Sequence, residues 1–374
     1  SMKLLLTLTS AITALLSSKS VLAEYGLNMT QGITDISKEI YGIHMMVFWV
    51  CVAIGVVVFG AMFYSIFAHR KSKGAKAAHF HESTTVEFLW TGVPIIILIA
   101  MAIPASKTLI DIEVLDKADM TVKVTGMQWK WQYDYPEEGI SFVSNLAQSS
   151  RDVVNGTPEE REAVNNDDTY LLSVDKHLVL PVDTTIRFLI TSSDVIHSWW
   201  VPAFAVKQDA NPGFINDAWA KPTEIGTYRG QCAELCGKDH GFMPVVVDVV
   251  SQADYAAWVE SMQAEKVAEL ASATKVWTED ELVSKGETIY NANCSGCHQK
   301  DGSGIPGVFP AMIASEVANC PAAYQLNLVI HGMGGMPAFK MLSDSDIAAV
   351  ITYERRSFGN NGSVVQPSDV TSAR

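Results

Sequence analysis

Positive charge is what this sequence has least of. It carries 27 Lys and Arg against 41 Asp and Glu, a formal net charge of −14. Binding to nucleic acid needs basic surface to meet phosphates, so that class is excluded. An acidic surface suits a basic protein partner better. Cysteine is scarce too, with 6 in 374 residues. Four of them sit in two tight pairs, Cys232/Cys236 and Cys294/Cys297, which is the spacing of ligation or cofactor attachment and not of a spread disulfide framework. Internal repeats are missing. The length favours two or three structural units over one.

Charge vanishes altogether in two stretches. Ile43 to Phe67 contains no Asp, Glu, Lys or Arg, and Phe88 to Ser106 is alike, interrupted only by Pro94 and Pro104. A bilayer core needs roughly 20 such residues, so residues 24–112 read as a transmembrane helical hairpin. The loop between the spans holds Arg70, Lys71, Lys73 and Lys76. The positive-inside rule puts that loop in the cytoplasm and everything after about residue 110 outside. Lys3, the apolar run Leu4 to Leu16 and Val21-Leu22-Ala23 read as a secretory signal over residues 1–23, with an uncleaved anchor as the alternative. Cys51 lies in the first span, so a bridge to the lone Cys320 is not expected. Glu87 stands at the mouth of the second span. Acids at such depth usually serve a function, although an interfacial Glu can also simply face water.

From about residue 118 the pattern becomes short, β-branched and turn-rich. Thr121–Thr125, His177–Leu180, Thr185–Ile190 and Pro244–Val249 read as strands of a β-sandwich or barrel over residues 113–252. Pro136 to Asp168 reads as a surface excursion. Residues 253–276 read as a helical linker, 277–360 as a last unit with helix-like ends, and 361–374 as a disordered tail.

Cys294-Ser-Gly-Cys297-His298 is the Cys-x-x-Cys-His haem-attachment signature. Each thiol can add to a haem vinyl group, and His298 is an axial ligand candidate. A redox Cys-x-x-Cys would need a βαβ setting that is lacking here. Gly332-Met333-Gly-Gly-Met336-Pro337 offers the opposite axial ligand. Met336 is the better candidate because Pro337 restricts the backbone before it; Met333 is the alternative. His/Met ligation closes the iron to substrates and raises its potential, which suits electron transfer.

A second constellation runs from Cys232 through Glu234, Cys236 and His240 to Met243, with His197 upstream. A zinc site would want four ligands; two Cys, two His and a Met are one too many. Thiolate, imidazole and thioether together favour copper, and a mononuclear blue site would use a single Cys. The second Cys lets two thiolates bridge two copper ions, with Met243 and the Glu234 carbonyl as weak axial donors. A Cys232–Cys236 disulfide is the alternative, but it would leave His197, His240 and Met243 unexplained.

Together with Gln128-Trp129-Lys-Trp131-Gln-Tyr133-Asp134-Tyr135 and Val195-Ile-His197-Ser-Trp199, these motifs resemble subunit II of haem–copper cytochrome c oxidases, in the form fused to a C-terminal cytochrome c domain. The resemblance covers nearly the whole chain after residue 23. It implies a multidomain architecture of two-helix transmembrane hairpin, all-β cupredoxin-like barrel and all-α class I cytochrome c domain. It implies a dinuclear copper A centre on His197, Cys232, Glu234 (carbonyl), Cys236, His240 and Met243, and one covalent haem c on Cys294, Cys297, His298 and Met336. It also implies electron transfer through Trp129, a magnesium ion on the Glu234 carboxylate, and a proton path beginning at Glu87. The implied partners are subunits I and III, membrane lipid, and a soluble cytochrome c or quinol-oxidising complex as donor. The implied place is a bacterial inner membrane, with the redox domains on the periplasmic side. Asp134, Asp194 and Asp209 are candidates for docking a basic partner. Phe214 follows Gly213 where the family often has Arg, which removes one ion pair expected there. A quinol-oxidase subunit II would lack the copper and haem ligands. A free-standing anchored electron carrier would have no use for Glu87 or the Glu234 carboxylate.

Overall fold

The structure is a computed structural model and describes residues 28–76, 81–115, 117–154 and 169–374. The signal expected over residues 1–23 lies outside them. Among the described residues, 28–31 with 41–83 belong to one compact unit and 32–40 with 84–374 to another.

Helix α1 spans Asp35–Ala68 and α2 spans Thr84–Glu113. Both are long and apolar enough to cross a membrane. Their apolar side chains, such as Val57 and Ile96, point outward and stay exposed, as a helix needs when lipid is its solvent. Pro94 and Pro104 lie inside α2. A short turn at Lys71–Lys73 follows α1 and is closed by Gly74 in the left-handed region, at φ 76°.

Among the described residues, ten strands make two five-stranded sheets. They are β1 Met120–Met127, β2 Lys130–Tyr135, β3 Ile140–Ser144, β4 Leu178–Pro181, β5 Ile186–Ser192, β6 His197–Val201, β7 Val206–Ala210, β8 Asn216–Ala220, β9 Gly226–Cys232 and β10 Pro244–Val250. One sheet runs β3-β2-β1-β5-β8 and the other β4-β10-β9-β6-β7. Pairing is antiparallel except for β1 with β5 and β4 with β10. Alternation drives the assembly: Ile186, Phe188 and Ile190 of β5 are buried while Arg187 between them is exposed. Their core neighbours include Val122, Val124, Trp131, Tyr133, Leu178, Leu180 and Trp199. This is the cupredoxin-like domain that the resemblance implies. The expected excursion after Pro136 is partly structured instead. Ile140 and Phe142 of β3 are buried, so their burial beside β2 outweighs the polar composition, and helix α3 follows at Gln148–Val154.

Helix α4, Gln252–Ser272, starts where the Ser251 side chain accepts a hydrogen bond from Asp254 N. Its Tyr255, Trp258, Val259 and Met262 pack on the barrel core. The remainder is helical: α5 Glu279–Asn293, α6 Ser295–His298, α7 Glu316–Asn319, α8 Ala322–His331, α9 Asp344–Arg356 and α10 Pro367–Ala373. Helices α5 and α9 cross closely at Gly286, where an added Cβ would lie 2.1 Å from the Ala349 carbonyl oxygen. The tail over 361–374, expected to be disordered, is folded. Val365 and Val370 are fully buried, and Arg374 bonds to Asp344 and to the Lys340 carbonyl. Arg355 is the physical reason. Its buried guanidinium donates to the Ser363 and Cys320 carbonyls and so ties the chain end to the domain.

Candidate metal centre and haem site

The metal-ligand candidates converge at one end of the second sheet. Cys232 closes β9 and His197 opens β6; Trp199 pairs with Cys232 across these strands. The loop from Ala233 to Met243 then leads into β10. The Cys232 and Cys236 sulfurs lie 3.8 Å apart, nearly twice a disulfide bond length of about 2.05 Å, so the pair is two thiols. His197 Nδ1 is 4.0 Å from the Cys232 sulfur, His240 Nδ1 is 3.5 Å from that of Cys236, and the Met243 sulfur is 3.5 Å from it too. The Glu234 carbonyl oxygen is 3.3 Å from the Cys232 sulfur. His197, Cys232 and Met243 are buried. Soft donors crowded at non-bonded distances around one point are what a thiolate copper site requires.

The surroundings hold these donors still. Asp194 Oδ1 lies 2.9 Å from His197 Nε2, which turns Nδ1 towards the sulfurs. Asp194 itself accepts from the Gln128 and Val195 amides. Burial disfavours a charged His197, but the bonds to Asp194 and Cys232 outweigh it and raise the imidazole pKa. Burial likewise opposes an ionised Asp194, and hydrogen bonds from His197 and the two amides prevail, so its pKa is lowered. Asp194 was a docking candidate on sequence; it faces inward and orients a ligand candidate. The two thiols share a proton unequally: the hydrogen bond from Cys236 favours the Cys232 thiolate, and that same bond pushes Cys236 up. Gly126 makes room for the His197 ring, since a Cβ there would lie 2.9 Å from it. Trp131 stands edge-on to His197 and donates to the Met243 carbonyl.

Trp129 is half-buried in the turn between β1 and β2. Its indole nitrogen donates to the Cys236 carbonyl at 3.2 Å, and Gln128 Nε2 reaches the same oxygen. Glu234 and Glu87 have exposed side chains.

Cys294 follows α5, and Cys297 and His298 lie in α6. His298 Nδ1 is 2.8 Å from the Pro310 carbonyl, which fixes the tautomer and leaves Nε2 for a metal. Met333 and Met336 exchange backbone hydrogen bonds in a tight turn. Met333 is 59 % exposed, whereas Met336 packs against the same apolar core as Cys294 and Met312. A thiol and a thioether bordering one apolar core are residues that fit a haem.

The sequence did not single out Lys130. It is buried at the start of β2, with Nζ 2.8 Å from Asn293 Oδ1 and 4.8 Å from the centre of the Phe339 ring. Asp134 accepts from Gln132 and Ser141, and Asp209 remains exposed.

Three families match this chain. Cytochrome C oxidase subunit II, periplasmic domain, covers residues 120–250. Cytochrome C oxidase subunit II, transmembrane domain, covers 23–108, and Cytochrome C oxidase, cbb3-type, subunit III covers 281–353. The probable cytochrome c oxidase subunit 2 of Rickettsia bellii is 38% identical over 229 residues, which is 61% of this chain and 81% of that protein. Subunit 2 of Cereibacter sphaeroides is 36% identical over 241 residues, 63% of this chain and 80% of that one. Among solved structures, the periplasmic domain of subunit II of cytochrome oxidase from Bradyrhizobium japonicum is 42% identical, covering 41% of this chain and 99% of that chain with a TM-score of 0.34.

Proposed function

Since the chain belongs to the cytochrome c oxidase subunit II family and is a membrane-anchored part of a haem–copper oxidase, we propose that it relays electrons from a donor, through one covalent haem c, to a dinuclear copper A centre and on to subunit I. The crowding of the Cys232, Cys236, His197, His240 and Met243 donor atoms carries this reading. Those five side chains with the Glu234 carbonyl would hold the two copper ions. Cys294 and Cys297 would attach the haem, with His298 and Met336 on its iron. When bound, the haem and the copper pair each take up and release one electron.

The chain's own residues supply rigidity. Asp194 orients His197, the Pro310 carbonyl orients His298, and Trp131 holds the backbone at Met243. Ligands that do not move on a change of charge keep the cost of electron transfer low. Trp129, bonded to the Cys236 carbonyl, is the residue through which electrons would reach the copper loop. The donor would be a soluble cytochrome c or a quinol-oxidising complex, and oxygen reduction would take place in the partner subunit. The exposed Glu234 carboxylate would share a magnesium ion with subunit I, and Glu87 would open a proton path. Subunit III would complete the assembly in a bacterial inner membrane, with the redox domains periplasmic.

Purification of the chain with its membrane partners tests this reading. The expected result is two coppers and one covalent haem per chain, with the haem reduced first by donor and the copper signal following. Fewer than two coppers in a fully loaded sample, or no covalent haem, overturns it.

A further inference from the structure

Lys130 is an expensive residue where it stands. It is 4 % exposed, and among the described residues it makes no ion pair with a carboxylate. Removing an ammonium from water without a counter-charge is strongly unfavourable unless other groups replace its hydration. Here the replacements come from outside its own domain. Asn293, immediately before Cys294, accepts its hydrogen bond at 2.8 Å. Phe339, three residues after Met336, presents its ring face at 4.8 Å. Lys130 therefore touches both chain segments that frame the haem site, while its neighbour Trp129 bonds to the Cys236 carbonyl. A second cation acts alongside it: Lys238, two residues past Cys236, donates to the Gly296 carbonyl between the attachment cysteines at 2.9 Å. Trp129, Asn293, Gly296 and Cys297 line one cavity between the two domains.

We propose that Lys130 is the positioning residue that seats the cytochrome domain on the copper domain, in the arrangement from which the haem-attachment segment serves the Trp129–Cys236 route. This rests on the relay function proposed above. The transfer it serves would move one electron from the haem that Cys294 and Cys297 would hold to the copper that Cys232 and Cys236 would hold, oxidising the first and reducing the second, with no bond made or broken. A buried cation whose hydration is replaced from the other domain makes the seat specific: other placements of the cytochrome domain leave Lys130 without the Asn293 side-chain oxygen and the Phe339 face. Lys238 is more exposed and supplements the seat without defining it.

The test uses the intact oxidase complex, with Lys130→Met and Lys130→Arg on the copper side and Asn293→Leu on the haem side. The readout is the rate of haem-to-copper electron transfer after photochemical reduction of the haem. Haem absorption and copper paramagnetic resonance are recorded on the same samples. In Lys130→Met and Asn293→Leu, transfer is expected to slow by about tenfold or more, as losing the buried hydrogen bond, and in Lys130→Met the cation–π contact as well, shifts the seated population. It should also become dependent on solvent viscosity, because the domain must re-seat by diffusion. Lys130→Arg should restore part of the rate. Should Lys130→Met lose its copper signal, Asn293→Leu decides, since it leaves the copper domain untouched. Unchanged transfer rates with both spectra intact overturn the proposal. Absence of the copper or haem signal in the unmutated complex defeats the relay function instead.

Discussion

His197 is held by an atom on each ring nitrogen, and the two can be separated by mutation. Asp194→Asn keeps the shape but removes the charge behind Nε2. Copper affinity is expected to fall by about 10- to 100-fold, the usual loss when a partner behind a metal-ligating imidazole is changed. A competition titration checks this, with circular dichroism showing that the barrel persists. At the haem site the exposures of the two methionines make opposite predictions. Met336→Leu should abolish the sulfur-to-iron absorption band and leave the copper resonance unaltered, while Met333→Leu should change neither. The reverse result would place the axial ligand on the exposed side chain.

At the scale of elements, the start of α5 carries a pH dependence of known sign. Thr278 and Glu281 form a capping box, and Lys275 pairs with Glu281. The Lys275 ammonium and the Thr278 amide pull the Glu281 carboxyl down to about 2 from its ordinary 4.5. A depressed carboxyl pKa contributes stability that is present above the unfolded value and lost as pH falls through the folded one. Acid unfolding of the cytochrome domain should therefore steepen between about pH 4.5 and 2, and Glu281→Gln should flatten that limb in a thermal melt series. Elements whose evidence is local were legible in the sequence. The strand expected at Thr121–Thr125 lies inside Met120–Met127, and the helix expected after Ala253 begins at Gln252. Alternation and helix-forming composition act within a few residues. That Cys232, Cys236, His197, His240 and Met243 would meet was legible because Cys, His and Met at those spacings have few other uses. What could not be read depends on distant partners. The tail over 361–374 folds because Arg355 reaches the Ser363 carbonyl, and Asp194 turns inward because His197 waits there. Lys130 looks in sequence like one polar position in an aromatic strand. Its burial follows from Asn293 and Phe339, far along the chain.

On the scale of the molecule, the apolar helices, the cupredoxin-like barrel and the cytochrome c domain are one polypeptide. The segment joining the barrel to the cytochrome domain is no loose string. Over much of its length α4 lies on the barrel, with Tyr255, Trp258, Val259 and Met262 against the core and Lys176 paired to Glu265. A freely jointed linker would dilute its cargo over a sphere set by its length. A strut fixed along one side confines the cargo to a small sector, and local concentration rises accordingly. The kinetic order of the proposed haem-to-copper step follows from this: it should be unimolecular, with a rate constant that stays the same when the purified complex is diluted tenfold, while turnover with an external donor falls with donor concentration.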